Sequence, residues 1–145
     1  MKQLNNKKGF TLIEVVLVLA IGGLIFLLAF LAFQQVSTNR RDTQRRSDVA
    51  RFVGEVQNYI GDSNSTQAPD AATFNGNIKT NYLKNPTGPD GNAYIFGTTV
   101  GKDNVNYVKG AASQTFCDGS TPMTGSSDFK ITIGLEKGSS CRDTK

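Results

Sequence analysis

Between Gly9 and Gln34 the chain reads FTLIEVVLVLAIGGLIFLLAFLAF, an apolar run broken by a single charge, Glu14. As a helix, about 24 residues rise about 36 Å, enough to cross a hydrocarbon core of about 30 Å with some tilt. One membrane span is the natural reading of residues 10–33. The alternative, a cleaved secretory signal, fits poorly: the run exceeds an ordinary h-region, and Ala29, Phe30, Leu31 and Ala32 offer no A-x-A cleavage pattern. A carboxylate in such a segment costs on the order of 3 kcal/mol even on insertion scales, so Glu14 needs a partner or a purpose.

Once the span is set aside, the 145-residue chain keeps roughly 90 residues for a globular part, rich in Gly, Ser, Thr, Asn and Asp and poor in large aliphatics after Ile60. A core that small benefits from a staple. Cys117 and Cys141 are the only cysteines; without His they cannot complete a zinc site, and their spacing is not C-x-x-C. A disulfide is the expectation, closing a loop of about 25 residues, contributing roughly 3 kcal/mol and implying an oxidising compartment. Two free thiols in a cytosolic domain are the alternative.

Lys2, Lys7 and Lys8 precede the span and Arg40, Arg41, Arg45 and Arg46 follow it, so the positive-inside rule leaves the orientation open. The expected disulfide sets it: N-terminus inside, C-terminus outside. The formal net charge is +4, but without the three leading lysines 13 basic residues face 12 acidic ones. The arginine cluster is offset by Asp42 and Asp48 and has no interleaved aromatics, so nucleic acid is a possible but unsupported partner, and a solvated or intersubunit helix face is expected.

Helical periodicity continues past the span. Val49, Phe52, Val53, Val56 and Ile60 form a narrow apolar stripe, and Gly61, with Asp62, Ser63, Asn64 and Ser65 behind it, supplies a stop. One helix is expected from about Phe10 to Tyr59 or Ile60. "NAYIFGTTV", "VNYVKG" and "FKITIGLE" read as short strands of a small antiparallel sheet whose apolar face packs on that stripe, with residues 64–92 as a long Pro-, Gly- and Asn-rich connection. The fold class is therefore α+β. Its divisions are 1–9, 10–33 (span), 34–61 (amphipathic half of the helix) and 62–145 (loop-rich sheet region).

The stretch KKGFTLIE, joined to a long apolar helix, resembles the N-terminus of a type IV pilin or pseudopilin precursor. The likeness is strong over residues 7–33 and weaker in RRDTQRRSDVARFVGEVQNYI and YLKNPTGPDGNAY. It implies that residues 1–9 are a leader removed by prepilin peptidase between Gly9 and Phe10, that the new Phe10 amine is N-methylated, and that the chain polymerises with itself through an inner-membrane assembly platform. Gly9 leaves room for the protease at the backbone, and Lys7 and Lys8 hold the leader at an anionic surface. Glu14, the fifth mature residue, would pair with the Phe10 amine of a neighbouring subunit and set axial register. Many pilins carry a proline where Leu31 stands; Gly22 and Gly23 are the candidates for helix melting here, with close helix packing as the competing role.

No enzyme signature is present: there is no His, no G-x-S-x-G and no phosphate loop, and no cofactor is expected. Asp90 and Asn92 could ligate calcium, but a plain turn is the preferred reading, and no metal is expected. Asn64, Ser65 and Thr66 form an N-glycosylation sequon, a pattern short enough to recur by chance. The resemblance implies a structural subunit of a type IV pilus, delivered to the cell surface from a membrane-anchored precursor. Its alternatives are a pseudopilin of a type II secretion or DNA-uptake apparatus and, in another class, an uncleaved membrane-anchored adhesin or binding module.

Overall fold

The computed structural model describes residues 9–111, 113–119 and 121–145. The chain divides into two compact units, one ending at Ser37 and the other running from Thr38 to Lys145. Helix α1, Leu12–Asp62, supplies the first unit and begins the second. In the first unit its large apolar side chains are exposed, from Phe10 at 90% to Phe33 at 72%, as suits a segment whose surroundings are apolar. The helix is long and apolar enough to cross a membrane by length and composition.

In the second unit, Val49, Phe52 and Val56 are fully buried, and Val53 and Ile60 are partly so, as the stripe predicts. The helix does not stop at Gly61. It continues to Asp62, and Asn64 takes the left-handed conformation, φ 49°. The Asn64 N–H donates to the Gly61 carbonyl at 3.2 Å and the Ser65 N–H to the Ile60 carbonyl at 3.1 Å, the paired bonds of a Schellman ending. Asparagine tolerates this backbone shape almost as glycine does, which is why Gly61 is not needed for it.

Residues 64–92 are not a structureless connection. Asp70 caps a short helix α2, Ala71–Thr73, its carboxylate accepting the Thr73 N–H at 2.7 Å. A π-helical stretch, Phe74–Tyr82, follows directly, and Phe74, Ile78 and then Leu83 enter the core. Strands β1 (Ile95–Gly97), β2 (Asn104–Lys109), β3 (Phe129–Gly134) and β4 (Ser139–Asp143) form one sheet in that order. The β2–β3 and β3–β4 pairs are antiparallel, but β1 lies parallel to β2, with Ile95 opposite Asn104. The sheet is thus mixed, which corrects the expectation of an antiparallel one, and β4 had not been expected at all. A tight parallel return is feasible because β1 is only three residues long, so the chain retraces about 7 Å. The return needs close backbone contact at Gly134, where an added Cβ would fall 1.9 Å from the Gly101 carbonyl oxygen.

Val105, Tyr107, Phe129, Ile131 and Ile133 point from the sheet into the core beside the α1 stripe. Tyr107 stacks on Phe74 with ring centroids 4.4 Å apart and donates its hydroxyl to the Pro69 carbonyl at 2.8 Å, and burial holds its phenol well above the usual range. Cys117 and Cys141 form the disulfide, Cα atoms 5.7 Å apart, tying the loop after β2 to β4. A second tie lies beside it, where the Cys117 N–H donates to the Asp143 carboxylate at 2.7 Å.

Candidate functional site

The helix begins at Leu12, so Gly9 and Phe10 lie ahead of it and are exposed. A Cβ on Gly9 would meet nothing within 4 Å among the described residues. Lys7 and Lys8, the basic pair of the leader, lie outside the described residues.

Thr11 and Glu14 build the start of α1 together. The Thr11 N–H and hydroxyl both donate to Glu14 Oε2 at 2.8 Å, and the Glu14 N–H approaches Thr11 Oγ1 at 3.4 Å. This is a capping box, with Thr11 at the N-cap and Glu14 three residues on. It gives Glu14 a partner the sequence reading had not assigned, although T-x-x-E ahead of an apolar run is the signature that announces one. The negative charge also lies at the positive end of the helix dipole, where it is favoured. Glu14 Oε1 takes no hydrogen bond among the described residues, and an apolar groove lined by Phe10, Glu14, Val15, Val18 and Leu19 runs along this helix start. One carboxylate oxygen thus holds the helix start together.

Gly22 and Gly23 sit within α1, which is helical across both, and nothing lies within 4 Å of a Cβ on either. In the second unit the arginine cluster departs from expectation. Arg45 is not solvated but fully buried, its Nε 2.8 Å from Asp103, Nη1 3.2 Å from Asp42, Nη2 3.2 Å from Asp90, and Nη1 3.6 Å from Glu136. Arg41 reaches Asp90 and Glu136 at 3.5 Å each. Lys102 Nζ lies 2.7 Å from Asp90, and that hydrogen bond holds the Asp90 carboxyl below its ordinary range and the lysine above its own. Asp90 therefore anchors three cations of the chain itself, Arg41, Arg45 and Lys102. Nothing in the sequence pattern marked Arg45 as different from Arg40 or Arg46, because its carboxylate partners come from segments up to 91 residues away in the sequence.

With the cap and its groove described, the comparisons place the segment. The prokaryotic N-terminal methylation motif matches residues 4–30. The chain carries the class III signal peptide of type IV pilins and pseudopilins. The motif supports a type IV pilin-like precursor, a class that is structural rather than catalytic, and implies processing by prepilin peptidase. The apolar first unit fits a membrane-anchored precursor. Comparison with curated proteins and with solved structures finds no match.

Proposed function

We propose that the chain is the structural subunit of a type IV pilus. Prepilin peptidase cuts between Gly9 and Phe10, the Phe10 amine is methylated, and the subunit leaves the membrane through an inner-membrane platform into a helical homopolymer on the cell surface. The observation that carries this reading is Glu14 itself, anchored by Thr11 through one oxygen, the other taking no hydrogen bond among the described residues. In a filament the apolar helices are buried against one another, where an unpaired carboxylate would be costly. The Phe10 amine of an adjacent subunit supplies the missing charge at the free oxygen and sets axial register. Gly22 and Gly23 then mark where α1 unwinds on assembly, since each lowers helix propensity by about 1 kcal/mol relative to Ala.

Filament yield of Glu14→Ala tests the reading. Processing should remain largely intact while assembled filament falls to near background; wild-type yield from that variant would overturn the pairing. The Arg41–Arg45 network supports a structural role for the folded unit, because two of the four clustered arginines are already engaged by carboxylates of the same chain.

A further inference from the structure

The sequon Asn64-Ser65-Thr66 is the one motif of the sequence that the pilin reading leaves unused. No other asparagine in the chain heads N-x-Ser/Thr except Asn85, which Pro86 disqualifies. The structure places Asn64 at the exposed end of α1, where only its backbone is occupied: its N–H closes the Schellman ending on Gly61, and its side-chain amide makes no hydrogen bond among the described residues. The left-handed backbone at Asn64 turns the chain sharply, so the amide projects from the apex of a turn rather than from the helix side. Thr66 is exposed two residues on, its hydroxyl unpaired among the described residues, and Ser65 is held by a local turn in which the Gln67 N–H donates to its hydroxyl at 3.1 Å. Two residues ahead stands the exposed carboxylate of Asp62, which puts an anionic contact for a transferase beside the acceptor turn. One Asp62 oxygen accepts the Tyr82 hydroxyl at 3.0 Å, which fixes the carboxylate beside the turn.

We propose that Asn64 is an N-linked glycosylation site. The donor class is a lipid-pyrophosphate-linked oligosaccharide. The Asn64 side-chain nitrogen forms a bond to C1 of the first sugar, the bond from C1 to the phosphate oxygen breaks, the lipid pyrophosphate leaves with the electron pair, and a base of the transferase takes the amide proton. The modification uses the side chain and leaves the backbone bonds that end the helix in place, so sugar and cap coexist on one residue. The inference rests on the reading that the chain beyond the span is extracytoplasmic, where such transferases act.

The test is mass spectrometry of tryptic peptides from the full-length protein made in its own host. Peptide 52–79 should carry a glycan localised to Asn64; Thr66→Ala and Asn64→Asp should return it at unmodified mass, whereas Thr66→Ser should retain the glycan. Asp62→Asn should lower the occupied fraction several-fold. Wild-type peptide found only at unmodified mass would overturn the proposal, as would sugar localised to the hydroxyl of Ser63, Ser65 or Thr66. The same digest reports peptide 10–40: if it begins at a methylated Phe10, the pilin reading stands whatever the result at Asn64, and a chain still carrying residues 1–9 would fail that reading instead.

Discussion

Arg45 and Arg40 are five residues apart on one helix and look alike in sequence, yet the first is enclosed by Asp42, Asp90, Asp103 and Glu136 while the second is exposed. Removing a cation from a buried ion network strands the charges it paired, whereas deleting a surface arginine removes little. Arg45→Ala should therefore cost about 3–5 kcal/mol in denaturant unfolding of the detergent-solubilised chain. Arg40→Ala should stay within about 0.5 kcal/mol. Equal effects would mean that Arg45 is not enclosed in solution. The same network sets a pH dependence. Asp90 is held ionised chiefly by the Lys102 hydrogen bond, so its contribution is present above the unfolded carboxyl value near pH 4 and is lost as pH falls through the depressed folded value. Lys102 mirrors it: its contribution is present below about pH 10.4 and is lost as pH rises through the raised folded value. Thermal midpoints should thus be flat between about pH 5 and 9. They should fall in acid, and Asp90→Asn should flatten that acid limb. Glu14 teaches a complementary lesson: its capping partner Thr11 is legible as T-x-x-E, because a cap is local, while Asp90, Asp103 and Glu136, which enclose Arg45 together with nearby Asp42, are not, because they are distant in sequence.

At the scale of elements, legibility followed the same division. The α1 stripe and strands β2 and β3 are periodic over five or more residues and were read correctly from spacing alone. The π-helical stretch was missed because Phe74, Ile78 and Tyr82 sit among Asn and Gly residues that signal a turn, and a π-helix takes its stability from packing, here Phe74 on Tyr107, rather than from propensity. The parallel placement of β1 was hidden for another reason. A three-residue strand carries too little pattern to show direction, and its return depends on the absence of a side chain at Gly134. The helix ending offers a direct check of how the element is built. Gly61 lies inside α1, with nothing within 4 Å of a Cβ, and the stop is made by Asn64. Gly61→Ala should accordingly stabilise the chain by up to about 1 kcal/mol. Destabilisation would return the stop to Gly61.

Across the whole molecule, two solutions to the problem of apolar surface sit in one chain. The unit from Thr38 onward buries its stripe against a sheet, and the Cys117–Cys141 disulfide ties the loop after β2 to β4. Among the described residues of the unit ending at Ser37 the large apolar side chains are exposed, left on the proposed reading for surroundings that are themselves apolar, first lipid and then other copies of the same helix. Its start carries exposed Gly9 and Phe10, a capped helix, and a Glu14 carboxylate with one oxygen that takes no hydrogen bond among the described residues. The motif at residues 4–30 and this geometry meet at the same few residues. The most direct measurement is the mass and sequence of the N-terminal peptide of the protein expressed in its own host. A peptide beginning at Phe10 and heavier by one methyl group is the expected result; one that retains residues 1–9 in a host with active prepilin peptidase would contradict the account.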